Sequence, residues 1–402
     1  MTPFEAELSS RLEAIRAQGL YRQLRRIDSP QATRIEIDGR SFLNFASNDY
    51  LGLAKEPALA EASIKAVEKF GSGSGASRLI CGSLSPHCEL EELLADFKQT
   101  EAALSFSSGY SAAVGTICAL MGKDDIIVLD KLVHASIVDA ARLSGAKIRV
   151  FDHNDLNDLE KILQWADAKQ IDGTTKRPNV LIVTESIFSM DGDSAPLREI
   201  VELKNKHGAW LMVDEAHGTG LYGLNRRGLA EELGVSSEIE VQMGTLGKAI
   251  GASGGYICGS RNLVDLLINR ARSFIFSTAP VPASAAAATA GLRFMRSADG
   301  ESRRNNLKER VKTFRAVRGL GPEQVWSAIQ PIIIGSETAA VETAVKLRDA
   351  GVFVPAVRYP TVARGAARLR ITLTAGHTED ELAELFNVLE TVGLGSGCNE
   401  AK

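Results

Sequence analysis

From about residue 57 the chain alternates helical stretches with short apolar runs, and this alternation restricts its fold more than any other feature. Apolar residues recur at helical spacing over Pro57–Phe70, His87–Gln99, Ser111–Met121 and Leu197–His207. Between or after them lie Ala102–Phe106, Ile126–Leu129, Lys147–Phe151, Val180–Glu185, Trp210–Asp214 and Val241–Thr245, which read as strands. Strands joined by helical crossovers lie parallel and are covered on both faces. The pattern predicts an α/β fold with a large, mostly parallel sheet covered by helices.

The flanking segments read differently. Near the start, Phe4, Leu8, Leu12 and Ile15 share one face of a predicted helix. Arg34–Ile37 and Ser41–Phe45 alternate around Asp38-Gly39, a hairpin signal. After about Pro280, helical segments lead to a strand at Ala328–Ile334, a helix at Ser336–Ala350, strands at Phe353–Val357 and Arg368–Leu373, and a last helix near Thr378. The expected organisation is an N-terminal helix and hairpin over 1–56, a large domain over 57–280, a smaller α+β C-terminal domain over 281–392, and a disordered tail over 393–402. A chain of 402 residues is long enough for such a pair of domains.

Composition narrows the function. Hydrophobic residues make up 45% and charged residues 24%, as in a globular chain, and the net charge of −4 argues against nucleic acid or an anionic membrane as partner. Cys81, Cys88, Cys118, Cys258 and Cys398 have no metal or redox spacing, and the six histidines are scattered, so no metal site is expected. No secretory leader or membrane span is apparent, and the expected location is cytoplasmic.

Chemistry gathers where strands end, the edge at which open α/β sheets bind ligands. Asp214 closes an apolar strand in Val213-Asp-Glu-Ala-His217, and His217 follows three residues on. Alone, Asp214 could equally cap the turn. Lys248 lies in Gly244-Thr-Leu-Gly-Lys248, framed by small residues, with the Thr245 hydroxyl nearby. A lysine in such a loop could also be a surface residue in a flexible turn. Ser107-Ser-Gly-Tyr110 joins a strand to a helix and offers amides of Gly109 and Tyr110 to an anion. His134 and Ser189 follow two further strands. A lysine able to form a Schiff base, a carboxylate for a pyridinium proton and a phosphate cradle are together what pyridoxal phosphate chemistry requires.

These motifs resemble the α-oxoamine synthases, a family of fold-type-I pyridoxal phosphate enzymes. Ser47-Asn-Asp-Tyr-Leu-Gly-Leu53, Phe188-Ser-Met-Asp-Gly-Asp-Ser-Ala-Pro196, Val213-Asp-Glu-Ala-His-Gly-Thr-Gly220, Gly244-Thr-Leu-Gly-Lys248 and Ala367-Arg-Leu-Arg-Ile-Thr-Leu-Thr374 carry the likeness. It implies that Lys248 bonds the cofactor and moves the α-proton, and that Asp214 pairs with the ring nitrogen. His217 and Ser189 would serve the phenolic oxygen, His134 the ring face, and Gly109, Tyr110 and Thr245 the phosphate. Arg370 would bind the amino-acid carboxylate with Asn48 nearby, and Arg22 and Thr361 would touch substrate. The implied substrates are L-alanine and a pimeloyl thioester, on coenzyme A or a carrier protein. The implied assembly is a homodimer with its active site at the subunit interface, Phe276-Ser-Thr278 reaching the partner's phosphate site. Glycine C-acetyltransferase is an alternative of the same mechanism, since Arg78-Leu-Ile-Cys-Gly82 and Gly251-Ala-Ser-Gly-Gly-Tyr256 are similar to it. A non-catalytic relative would be expected to lack Lys248 or Asp214. A dinucleotide enzyme would need a glycine fingerprint opening a helix after a strand, and Gly71–Gly75 follows a helix instead.

Overall fold

The computed structural model describes residues 1–169, 177–321 and 325–395. The chain divides into two compact units, one formed by Leu51–Ser189 and Asp193–Arg304, the other by Met1–Tyr50, Met190–Gly192 and the chain from Asn305 onward.

The first unit is built on seven strands: β3 (Ala102–Phe106), β4 (Ile126–Asp130), β5 (Lys147–Phe151), β6 (Val180–Glu185), β7 (Trp210–Asp214), β8 (Val241–Thr245) and β9 (Gly255–Gly259). Their order is β3-β9-β8-β7-β6-β4-β5. Pairing is parallel from β8 through β5, and β9 runs antiparallel to both β3 and β8. Every strand except β9 therefore delivers its C-terminal end to one edge. The strand faces are filled by Leu181, Val183, Met212, Met243 and Ile257, packed with Ile117 and Ile137 from helices Gly109–Leu120 and Ala135–Ser144. Each such side chain, fully buried, contributes about 1.5–3 kcal/mol. This sheet bears out the fold class read from the alternation.

The sequence pattern missed β9. Gly254 before it, Gly255 at its start and Gly259 at its end resemble a loop, yet Tyr256, Ile257 and Cys258 between them are wholly buried. Gly255 is required by closeness: an added Cβ would lie 2.6 Å from the Ser108 carbonyl oxygen and 2.7 Å from Gly109 Cα. The helix expected from Ser111 begins at Gly109, because Ser108 caps it by accepting the Ser111 N–H at 3.0 Å.

The second unit contains two small sheets. In one, β1 (Arg34–Ile37) and β2 (Arg40–Asn44) form the expected hairpin, with Asp38 and Gly39 at φ 51° and 72°, and β11 (Val352–Phe353) adds in parallel to β2. In the other, β13 (Ala367–Thr372) lies between β10 (Ile329–Gly335) and β12 (Ala356–Val357). The single strand expected over Phe353–Val357 is thus two, in different sheets. Pro355 lies between them and has no N–H for a ladder, while its carbonyl accepts the Arg370 N–H at 3.1 Å. A capping box of Thr378 and Glu381 starts the last helix, Glu379–Thr391.

The unit boundaries differ from those expected at 1–56, 57–280 and 281–392. The hairpin belongs with the C-terminal chain because β2 pairs with β11. Helix Pro282–Met295 belongs with the large sheet because it packs on helix Pro57–Phe70. Of the expected disordered tail, Gly393–Gly395 is described: Arg318 bonds the carbonyls of Leu394 and Gly395. Residues 396–402, Cys398 among them, lie outside the described residues. The helix Pro3–Ala17 buries none of its residues, leaving Phe4 68% exposed. Among the described residues no helix is long and apolar enough to cross a membrane.

Candidate active site

The strand ends of the larger unit carry Gly109, Tyr110, His134, Ser189, Asp214, His217, Thr245 and Lys248 along the edge shared by β3, β4, β6, β7 and β8. Thr245 and Phe106 both register with Gly255, so the ends of β8 and β3 are level across β9. An added Cβ on Gly109 would meet Thr245 Cγ2 at 2.7 Å, so only glycine lets this helix start lie so close to β8. The first-turn amides of Gly109 and Tyr110 have no acceptor within their helix, which makes this start an anion cradle. The Tyr110 hydroxyl is engaged elsewhere, donating to Asp139 at 3.0 Å, so the residue offers its backbone N–H, not its hydroxyl, at the helix start.

Asp214 closes β7 and is 6% exposed. Burial pushes its carboxyl above the usual carboxylate range. The positive charge of Lys248 is the strongest influence in the opposite direction, followed by the Ala216 N–H, which donates to Oδ1 at 2.9 Å. Lys248 Nζ donates to Thr245 Oγ1 at 3.2 Å. His134 caps helix Ala135–Ser144: its Nδ1 accepts the Ser136 N–H at 3.2 Å and bonds the Ser136 hydroxyl at 2.7 Å. The residue as a whole is exposed. Burial lowers its pKa, the charge of Asp214 opposes and that of Lys248 reinforces the lowering, so a neutral ring is favoured. His217 and Ser189 are both buried.

Glu185 belongs to this set and was not singled out from the sequence. It ends β6 directly beside Asp214 in the register and is 2% exposed. Burial, then the charge of Asp214, push its carboxyl well above the usual range, with Lys248 opposing. Its Oε2 accepts the Ser189 N–H at 3.2 Å, the His134 N–H also bonds the carboxylate, and Oε1 has no hydrogen-bond partner among the described residues. An acid ending an apolar strand is the same signal that marked Asp214.

The remaining predicted residues lie in the smaller unit. Arg370, buried on β13, donates to Asn48 Oδ1 at 3.0 Å and Thr372 Oγ1 at 2.7 Å. Arg22 donates to the Tyr359 carbonyl at 3.2 Å, and Arg358 to the Tyr21 carbonyl at 2.7 Å. The Thr361 N–H bonds back to the Arg358 carbonyl at 3.0 Å. Burial and the like charge of Arg22 lower the pKa of Arg358, whose Nε has no hydrogen-bond partner among the described residues. Among the described residues no acid lies within salt-bridge distance of either guanidinium.

The larger unit fits pyridoxal phosphate on its own chemistry. An amide cradle suits the phosphate, an amine at the strand ends suits the aldehyde, an exposed imidazole suits a flat ring, and a buried carboxylate calls for a cationic partner. The group of three or more His, Cys, Asp or Glu side chains that a metal would need is absent among the described residues.

Comparisons agree with this reading. The aminotransferase class I and II family matches residues 40–389. The 8-amino-7-oxononanoate synthase of Geobacter metallireducens is 45% identical over 389 residues, covering 96% of this chain and 97% of that protein. A serine palmitoyltransferase from S. paucimobilis, solved with bound PLP-myriocin aldimine, superposes with a TM-score of 0.87 at 30% identity, covering 96% of each chain. The 8-amino-7-oxononanoate synthase of Francisella tularensis superposes with a TM-score of 0.72 at 28% identity, covering 87% of this chain and 96% of that one. The fold is that of the fold-type-I pyridoxal phosphate enzymes.

The environment of Glu185 predicts a contrast between two substitutions. Glu185→Gln replaces an acid disposed to stay protonated by a neutral isostere and should change stability by no more than about 1 kcal/mol. Glu185→Ala leaves two buried amides without an acceptor and should cost about 1–3 kcal/mol for each. Urea unfolding checks both, and equal losses in the two variants would contradict the account.

Proposed function

The chain belongs to the class I and II aminotransferase family, and within it to the 8-amino-7-oxononanoate synthases; from that membership we propose that it condenses L-alanine with a pimeloyl thioester. The products are 8-amino-7-oxononanoate, carbon dioxide and the free thiol, as a step of biotin biosynthesis. The observation that carries the reading is the placing of Lys248, Asp214 and the Gly109–Tyr110 cradle at one sheet edge.

Bound there, pyridoxal phosphate supplies an electron sink for negative charge at the amino-acid α-carbon. The other roles belong to the chain. Lys248 Nζ would hold the cofactor at its aldehyde and, once released by exchange with alanine's amine, would take the proton from alanine's α-carbon and return one to the product. Asp214 holds a proton on the ring nitrogen; a buried carboxylate does this well because little water competes for it. Ser189 and His217 would serve the phenolic side, His134 the ring face, and Gly109, Tyr110 and Thr245 the phosphate. Arg370, steadied by Asn48 and Thr372, binds alanine's carboxylate, which later leaves as carbon dioxide.

Arg22 and Arg358, with Thr361 beside them, distinguish this reading from glycine C-acetyltransferase. Two neighbouring guanidiniums with no acid in salt-bridge range among the described residues favour an acyl group with an anionic far end, and an acetyl group has none. Offered both pairs, the protein should turn over L-alanine with pimeloyl-CoA at least about tenfold faster than glycine with acetyl-CoA, each loss of one charged contact being worth roughly that factor. Faster turnover of the second pair, read by mass spectrometry of the products, would overturn the substrate assignment.

The working form in this reading is a cytoplasmic homodimer. Leu79, Ile80 and Phe276 expose 50%, 80% and 71% of their surface, and the Ser77–Thr278 bridge draws their segments together, an exposed apolar region of the kind a partner subunit covers. Light scattering after gel filtration should give twice the chain mass at micromolar concentration; a single-chain mass under those conditions would contradict the dimer.

A further inference from the structure

We infer that His153 is a positioning residue: an ionic clasp from Asp130 through His153 to Asp193 holds the turn carrying His134 and the turn carrying Ser189 in one register. The consequence for cofactor binding rests on the function proposed above; the clasp itself rests on geometry alone.

Asp130 is the last residue of β4, and its side chain is fully buried. Its Oδ1 accepts the Leu132 N–H at 2.8 Å and bonds His153 Nδ1 at 2.9 Å, and its Oδ2 accepts the Asn154 N–H at 3.0 Å. Leu132 stands two residues before His134, so this carboxylate shapes the turn that presents the imidazole. On the other side, His153 Nε2 is 2.7 Å from Asp193 Oδ2. The Asn154 side-chain amide adds bonds of 3.1 Å to the same oxygen and 3.1 Å to the Ser194 carbonyl. Asn154 takes φ 57°, a left-handed conformation that asparagine tolerates better than most residues. The Asp193 carbonyl accepts the Phe188 N–H at 2.9 Å, closing the turn around Ser189. The Phe188 ring meets His153 edge-on at 4.4 Å.

With a carboxylate at each ring nitrogen, both nitrogens must donate, which requires the imidazolium form. Burial works against that charge, but the bonds to Asp130 and Asp193 outweigh it and push the pKa up to about 10. The nearby charges of Lys131 and Asp152 pair with each other at 2.9 Å. The clasp is therefore charged throughout the neutral range. Glu185 ties the same two turns from beneath through the amides of Ser189 and His134. His134 and Ser189 serve different parts of the cofactor, its face and its phenolic edge. A slip between their turns would spoil both contacts at once.

The test compares wild type with His153→Ala, His153→Gln and Asp193→Asn. Amide hydrogen exchange of the protein without cofactor, followed over residues 131–137 and 186–194, should speed up about tenfold in both segments together for His153→Ala, and less for the two milder variants. Pyridoxal phosphate affinity should fall about tenfold in parallel. The folded pKa lies above the unfolded one, so the melting-temperature advantage of wild type over His153→Gln should be full below about pH 6.5 and disappear as pH rises through about 10. Faster exchange in only one segment, or in neither, with unchanged cofactor affinity would overturn the inference. If His153→Ala does not fold, Asp193→Asn reads the same coupling. Failure of wild type to bind pyridoxal phosphate would defeat the proposed function while leaving the exchange result to decide on the clasp.

Discussion

A carboxylate buried at the end of a central strand needs a positive partner, and the larger unit is arranged around that need at Asp214. Burial disfavours the ionised acid, and the cation of Lys248 most strongly offsets this. Lys248 can serve only because β8 lies next to β7 in parallel, so that the loop after β8 opens at the same edge as Asp214. β9 then returns antiparallel and places Gly255 against Gly109, which puts the anion cradle of the next strand level with the amine. Cradle, amine and acid are thus consequences of one strand order. A flat ligand carrying an anion at one end and a basic nitrogen at the other is what such a row of groups can hold.

Much of this could be read from the chain before its structure. The apolar runs at Val180–Glu185, Trp210–Asp214 and Val241–Thr245 match β6, β7 and β8 because parallel strands buried on both faces leave a continuous hydrophobic signal. Asp214 and Lys248 were legible for the same reason: each follows such a run. β9 was hidden by its glycines, which are there to let backbones approach, a demand that no local pattern expresses. The break at Pro355 was visible as a residue, but its meaning depended on which sheet each neighbour joins. The unit boundaries also escaped, because β2 finds β11 some three hundred residues later in the chain. Glu185 carried the right signal but not its significance, which comes from lying beside Asp214. His153 could not be paired with Asp193 from sequence at all, since forty residues separate them.

The smaller unit uses charge in a different way. Arg370 is oriented in part by Asn48 and Thr372, which accept from its guanidinium. Arg22 and Arg358 each bond a backbone carbonyl near the other, and no acid among the described residues neutralises them. By contrast Arg368, two residues from Arg370 on β13, is neutralised by Asp191. The smaller unit thus holds both an arginine neutralised by an acid and arginines with no acid in salt-bridge range among the described residues. The same division runs through the larger unit, where His153 is saturated by two acids and His134 is exposed.

The central claim is that the Lys248 amine bonds the ligand whose ring nitrogen Asp214 serves. Borohydride reduction of the protein loaded with pyridoxal phosphate, followed by peptide mass mapping, tests this most directly. The account predicts one pyridoxyl label, on the peptide bearing Lys248, and its loss in Lys248→Ala. A label on another lysine, or a protein that takes none, would contradict it.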